Sequence, residues 1–471
     1  MDIIARLVAA VGPANLLRGE EAVAPWARDW TGRYVGAPLA VVRPGSTAEV
    51  SQVMAAAHAA GVAVVPASGR TGLTGATHAP DRIVLSLDRM NRIRAVKAGP
   101  RLLIAEAGVI LDRLHEAAEA HDLIFPLTFG AKGSAMIGGA LSTNAGGSNV
   151  LRYGSAREQC LGIEVVLADG RVLDLMSELH KDNSGYALRH LFIGAEGTLG
   201  VITAAVLKLL PRPRAYATAM VAVPSITAGL DLLARLREAT GGAVEAFEYM
   251  PRSYIEAHLA HIPGAREPFD APHDHTIMVE VGAVAPRDAE PGPDGTIPVV
   301  EQVEEVLADL MDRGQVLDAV VARSEAQRRE MWARRESAAE ITFTQPFFVD
   351  TDIAVPLDRL EEFLATIRHR LAGIDPEAKD FVVSHLGDGN IHYTAYPTRG
   401  NSDHLAAIRA LVDDTAVSLG GSFSAEHGIG QSKLSAMRTH KDPVAVEVMR
   451  SLKAALDPKG LLNPGKTVPG P

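Results

Sequence analysis

Two histidines close the octet HLGDGNIH at residues 385 to 392, and imidazole is a common ligand for divalent metals. The β-prone runs FVVS (381 to 384) and YTAY (393 to 396) flank it, so the octet reads as the bend of a hairpin. With Asp388 and Gly389 as the central pair of a two-residue turn, Gly387 opposes Asn390, Leu386 opposes Ile391, and His385 opposes His392. Opposed side chains share one face with Cβ atoms about 5 Å apart. One ion bound at about 2 Å from each ring spans that gap. A third donor stands in SAEHGIG (424 to 430), where Glu426 and His427 precede two glycines that allow close backbone approach. His385, His392 and Glu426 together make the two-histidine, one-carboxylate set of a zinc or related divalent site with one position open. Taken alone, the octet also fits two hydrogen-bonded structural histidines, and SAEHGIG also fits a glycine turn with two exposed polar residues.

The elements that must position these residues are those of a large α/β chain. With 471 residues the chain exceeds one ordinary core, and two or three domains are expected. Hydrophobic residues at 47% against 22% charged mark a globular enzyme rather than a disordered or fibrous chain. The net charge of −11, with no Lys/Arg cluster to offset it, argues against nucleic acid and for small-molecule partners. The single cysteine, Cys160, excludes an internal disulfide and a cysteine zinc cluster and fits a reducing compartment, so the cytoplasm is expected. The N-terminus lacks the basic lead of a signal peptide, and no run approaches the length of a membrane span.

Residues 45 to 66 spell a helix capped by Ser46 or Thr47, ended by Gly61 and followed by the strand-like VAVV. A second helix and strand occupy 108 to 126, and strand-like runs with an Asp169-Gly170 turn fill 161 to 211. After Pro211 and Pro213 helices and strands alternate, with SITAGLDLLARLREA (225 to 239) and TIMVEVGAV (276 to 284) as examples. The tract 285 to 298 reads as a mobile loop, and the tail 457 to 471 is turn-rich and ordered only if something holds it. The expected domains are 1–212, 213–420 and a C-terminal segment 421–471.

Four stretches combine glycine with small hydroxyl residues: 66 to 77, 125 to 147, 182 to 203 and the NPGK tail. Glycine lets backbone N–H groups turn inward to cradle phosphate oxygens, so a diphosphate is the natural guest. GRTGLTG lacks the Lys-Ser/Thr ending of a P-loop, and its glycines miss the G-x-G-x-x-G spacing, so neither a Walker ATPase nor a nicotinamide Rossmann enzyme is supported.

In order and spacing, PASGRTGLTG, FPLTFGAKGS with IGG and NAGG, YGSAREQCLGIEVVLADG, DNSGYALRHLFIGAEGTLGVIT, HLGDGNIH, SAEHGIG and LDPKGLLNPGK resemble the FAD-linked oxidase family of the vanillyl-alcohol oxidase fold. The branch they are most similar to is the D-2-hydroxyacid dehydrogenases, which include D-lactate, glycolate and D-2-hydroxyglutarate dehydrogenases. The match runs from about 38 to 466. It implies an α+β fold: a two-subdomain FAD domain of the PCMH type, an antiparallel-sheet substrate (cap) domain, and a C-terminal segment returning to the flavin. Ser68, Gly69, Arg70, Thr71, Gly72, Thr74 and Gly75 would wrap the FAD diphosphate. Pro126, Gly130, Ala131, Ser134, Gly138, Thr143, Asn144 and Gly146 would line ribose and flavin. Glu196, Gly197, Gly200, Val201 and Ile202 would take the adenine side, and Asn463 the ring. Arg70 stands where the family commonly has Gly or Asn, and the absence of His or Cys from 66 to 77 points to noncovalent flavin.

The resemblance assigns His385, His392 and Glu426 to a divalent metal, zinc or manganese, and His427 to the catalytic base. An imidazole suits that role because it titrates near working pH. Of the pair in WARRES, the arginine directly before Glu336 would bind the substrate carboxylate, which selects Arg335 and leaves Arg334 a helix surface charge. Asp350, Asn390 and Thr394 would join it on the substrate side. Ala339, Asp350 and Thr394 replace the Thr, Lys and Asn typical of the D-2-hydroxyglutarate branch. An aspartate in place of a lysine removes the partner for a second carboxylate, so a D-lactate-like, longer or aromatic monocarboxylate is expected. D-2-hydroxyglutarate is the alternative, as is a flavin alcohol or amine oxidase of the same fold. A non-redox synthase and a zinc hydrolase are the competitors from other classes. An electron-transferring flavoprotein, a cytochrome or a quinone would accept the electrons, and a homodimer is compatible with the sequence.

Overall fold

In the computed structural model, which describes residues 2–470, the chain forms two compact units. The first comprises the residues up to Gly147, Gly154–Pro211 and the chain from Glu426 onward; the second comprises Ser148–Tyr153 and Arg212–Ala425.

The first unit is built from local signals that agree with one another. Ser46 caps the helix Thr47–Ala60 by accepting the Glu49 N–H, while Glu49 Oε2 accepts the Gly45 N–H at 2.7 Å. Gly61, at φ +67°, closes the helix by donating to the carbonyls of Ala57 and His58. Val50, Val53, Met54 and Ala57 form its buried stripe, at the spacing of one helix face. The strand Val64–Ala67 follows and pairs in parallel with Ile83–Ser86, which pairs in parallel with Ala40–Val42. A second sheet of this unit is antiparallel, with Val201–Lys208 paired to both Leu102–Glu106 and Cys160–Val166. The 457–470 tail is held in place. Asn463 N donates to Val64 O, Arg82 to Pro464 O, and Lys466 Nζ to His78 O.

The second unit carries, among the described residues, a seven-stranded antiparallel sheet. Its strands run in the order Asp318–Val321, Ala215–Val223, His275–Ala283, Val244–Pro251, Lys379–His385, Asn390–Tyr396 and Val349–Ala354. One face is apolar: Tyr249, Val382, Ile391, Tyr393 and Ile353 join the core formed with the helices Ile226–Ala239, Pro298–Asp312, Leu360–Ile374 and Ser402–Ser418. The alternation of side chains then sends the other members of these strands to the opposite face. Within 285–298 the expected loop instead holds the short helix Pro286–Ala289, and Gly292 N donates to Thr296 O.

The hairpin forms where expected, but its register differs. Four residues, 386–389, connect the strands, so His385 pairs with Asn390, Ser384 with Ile391, and Val383 with His392. Leu386, inside this connection, is fully buried in the core, so the bend packs inward instead of ending in an exposed two-residue turn. The longer loop is closed by Asp388 and Gly389 donating to His385 O and by Asp388 Oδ1 accepting the Asn390 N–H, with Gly389 at φ +83°. His385 and His392 are therefore diagonal rather than opposed. They still share a face, with ring centroids 5.3 Å apart.

Candidate active site

The face of the second unit's sheet opposite its core concentrates polar side chains in rows. Glu248 lies across from His385, which lies across from Asn390. Asp352 lies across from His392, and Asp350 across from Thr394. Ligand atoms of Asp352 and His392 come within 4.8 Å of each other, a separation one divalent ion can bridge with bonds of about 2 Å. Asp352 is almost wholly buried, and its oxygens accept from Asn390 Nδ2 at 2.9 Å and from the Ala425 N–H at 3.2 Å. Asn390 Nδ2 also donates to Ile353 O, which fixes the amide's orientation, while its Oδ1 is a buried acceptor with no partner. Thr394 Oγ1 donates to Asp350 Oδ1 at 3.1 Å, which places the half-buried Asp350 on the polar face.

Arg335 lies in the last turn of the helix Glu325–Glu336, which Ser324 caps at its start. The Tyr254 hydroxyl donates to Arg334 O at 2.6 Å and to Arg335 O at 3.2 Å, so the last turn is pinned from outside. Arg335 Nε donates to Glu248 Oε2 at 2.6 Å, and His385 Nδ1 meets Glu248 Oε1 at 2.8 Å. Burial alone would raise the Glu248 carboxyl, but the charges and hydrogen bonds of His385 and Arg335 outweigh it and hold the group below the usual carboxylate range. Arg334 is not the surface charge expected. It is 5% exposed and donates to Arg266 O, and burial depresses its guanidinium, because this helix turns its Met331, Arg334 and Arg335 side inward. Ala339 is exposed on the next short helix, Ala338–Thr342.

In the first unit the glycine-rich loops converge. Gly69 lies so close to the second loop that a Cβ would stand 2.3 Å from Ser134 O. Gln431 N and Ser432 N donate to Thr74 O. Several side chains expected on FAD are occupied in holding these loops. Arg70 sits at φ +55°, the left-handed region that explains Gly or Asn elsewhere, and its guanidinium donates to Pro25 O and covers the Trp26 ring at 4.0 Å. Thr143 Oγ1 donates to Gly139 O, and Asn144 Oδ1 accepts from Ser155 and Arg157. The Glu196 carboxylate accepts the N–H groups of Ile429 and Gly430, both at 2.8 Å. Its burial raises the carboxyl, an effect those two N–H donors oppose. Val201 and Ile202 are core side chains, so only their backbone can face a ligand. Thus Arg70 and Glu196 engage protein partners through their side chains, and Val201 and Ile202 pack theirs into the core. Asn463 links the loops through Nδ2 to Ala76 O and Glu196 O, and its buried Oδ1 has no partner. Open space surrounds the missing Cβ of Gly72 and of Gly130. A buried acceptor without a partner beside backbone loops with open room fits a nucleotide cofactor.

Glu426 and His427 occupy the loop anchored by Glu196, with Oε1 and Nε2 3.8 Å apart. Their carboxylate and imidazole donors suit zinc or manganese, as do those of Asp352 and His392. Asp352 and Glu248 are the residues that sequence reasoning missed. The signal for Asp352 was present, since VDTDIA alternates acidic and apolar residues as a half-buried strand does. Glu248, within AFEYMP, offers no such local signal.

Residues 212–467 match the family model described as FAD linked oxidases, C-terminal domain, and residues 38–176 match the FAD binding domain. The chain belongs to the FAD-linked oxidase family. Among relatives of this FAD-linked oxidase, a Rattus norvegicus protein named D-2-hydroxyglutarate dehydrogenase, mitochondrial, is 35% identical, with 97% of this chain and 83% of the relative covered. A Xanthomonas citri pv. viticola protein named D-2-hydroxyglutarate dehydrogenase is 37% identical, covering 96% of this chain and 94% of the relative. Among solved structures, p-cresol methylhydroxylase is similar at a TM-score of 0.76 and 14% identity, covering 99% of this chain and 96% of that one. An alkyldihydroxyacetonephosphate synthase is similar at 0.74 and 18%, covering 98% and 85%. Those two likenesses show the fold: a PCMH-type FAD oxidase with an antiparallel second sheet. No helix among the described residues is long and apolar enough to cross a membrane.

Proposed function

We infer that this FAD-dependent D-2-hydroxyacid dehydrogenase oxidises a D-2-hydroxy monocarboxylate, D-lactate-like or longer or aromatic, to the 2-oxo acid. The carrying observation is the polar sheet face, where Arg335 and His385 share Glu248, the Asp352–His392 pair lies close by, and Asp350 occupies the same surface. Arg335 holds the substrate carboxylate through its planar donor fork. His385, His392 and Glu426 would hold a divalent ion, with Asp352 beside His392. His427 takes the hydroxyl proton. Bound FAD would supply the hydride acceptor, and a bound divalent ion would supply Lewis-acid activation of the hydroxyl. An external electron-transferring flavoprotein, cytochrome or quinone takes the electrons onward.

Asp350 supports a monocarboxylate, because a second substrate carboxylate beside it would be repelled. The second reading, D-2-hydroxyglutarate, is favoured by the names of the relatives. A panel of 2-hydroxy acids of both hands, assayed with a dye acceptor, tests both readings. Faster turnover of a D-monocarboxylate supports the first, faster D-2-hydroxyglutarate turnover the second, and no turnover of any D-2-hydroxy acid overturns both.

A further inference from the structure

Glu248 is the most enclosed charged group on the polar sheet face, with no exposed surface, and its two oxygens go to different partners. Oε1 meets His385 Nδ1 at 2.8 Å, and Oε2 accepts from Arg335 Nε at 2.6 Å. The arrangement spans three elements far apart in sequence: the strand Val244–Pro251, the hairpin strand Lys379–His385 and the helix Glu325–Glu336. We propose that Glu248 is a positioning residue that locks the His385 imidazole and the Arg335 guanidinium into one geometry, joining the metal end and the carboxylate end of the substrate site. This rests on the roles given above to His385 and Arg335.

The physical argument has two arms. An imidazole whose Nδ1 is engaged by a carboxylate has its ring plane fixed and its Nε2 committed to the ligand side, the arrangement by which outer carboxylates orient metal-bound histidines. A guanidinium engaged at Nε is fixed in its plane, so the direction of its fork is set before a substrate arrives. One carboxylate serving both arms makes the separation of the two groups a property of a single side chain. Glu248 needs its full length for this, since an aspartate would withdraw the oxygens by about 1.5 Å, one carbon–carbon bond.

The test compares Glu248→Gln and Glu248→Asp with the wild-type holoenzyme in three readouts: flavin absorbance, zinc or manganese retained after dialysis against graded chelator, and KM set against kcat. Glu248→Gln is expected to weaken metal retention by about 10- to 100-fold. It should raise KM on the order of tenfold while FAD content stays at the wild-type level. Wild-type metal retention and KM in Glu248→Gln overturn the proposal. Should that variant fail to hold flavin, Glu248→Asp decides. It retains the negative charge, so a carboxylate that merely balances two buried cations would leave both readouts at wild type, and that result also overturns the proposal. Positioning requires at least one arm to fail, and the KM effect should vanish in an Arg335→Ala background. His385→Ala with normal metal content and Arg335→Ala with normal KM would instead show that the assigned roles are wrong, which separates failure of that reading from failure of the proposal.

Discussion

Reversing the charge at Asp350 should shift the preference of the enzyme toward dicarboxylates. Asp350 lies on the edge strand Val349–Ala354, half-buried, with its Oδ1 accepting from Thr394. Arg409 Nη2 bonds its carbonyl rather than its side chain, so substitution leaves that contact intact. Two unit charges about 6 Å apart interact by about 2.8 kcal/mol at an effective dielectric constant of about 20. Solvent screening of a partly exposed pair reduces this to roughly half, or about 1.4 kcal/mol. Asp350→Asn, which removes the repulsion, should therefore raise kcat/KM for D-2-hydroxyglutarate relative to D-lactate by about tenfold. Asp350→Lys adds an attraction of similar size, so the ratio should rise by at least about tenfold and approach about a hundredfold where both effects act fully. Steady-state kinetics with both acids provide the assay. A ratio unchanged in both variants would show that Asp350 does not read the far end of the substrate, and the case for a monocarboxylate would then rest on Ala339 and Thr394 alone.

Acid precipitation should release the flavin into the supernatant; colour retained in the pellet would direct attention to His78, just beyond the first glycine loop, whose Nε2 is buried without a partner. Alanine at His385, His392 or Glu426 should remove metal and activity and leave FAD bound, as metal analysis beside flavin absorbance will show. His427→Ala should keep both groups and lose roughly 10²-fold or more in turnover, the scale of a general base, so near-normal turnover would place the base elsewhere. Leu386→Ala should cost about 2–5 kcal/mol in a thermal or urea melt, and a neutral result would contradict its place in the core. Burial pushes the Cys160 thiol up to about 12, so only roughly 10⁻⁴ of it is thiolate at pH 8, and a thiol reagent should label the protein only on unfolding.

What the sequence disclosed and what it hid follow from the range of the interactions. The helix Thr47–Ala60 with Ser46 and Gly61 at its ends was readable because its caps lie within the element they cap. The hairpin was readable as a hairpin, but its four-residue bend buries Leu386 in the core built by strands and helices far away in sequence, which no turn rule reports. Arg334 and Arg335 are adjacent in one motif, and only the fold shows that both are buried. Glu248 was silent for the same reason. Its partner His385 is 137 residues away, and pairing at that range leaves no local periodicity.

The glycine-rich loops show the same limit from the other side. Their composition pointed to a backbone that must approach something closely, and the natural candidate was a diphosphate. Much of that closeness is to other protein segments: a Cβ at Gly69 would meet Ser134 O at 2.3 Å, one at Gly138 would meet Ala107 Cβ at 2.6 Å, and one at Gly430 would meet Thr74 O at 2.3 Å. Only positions such as Gly72 and Gly130, with open space above them, are left for a ligand to require. Glu196 extends the same logic to the chemistry. Its carboxylate ties down the backbone two and three residues beyond His427, so the first unit's scaffold and the aim of the proposed base depend on one buried side chain.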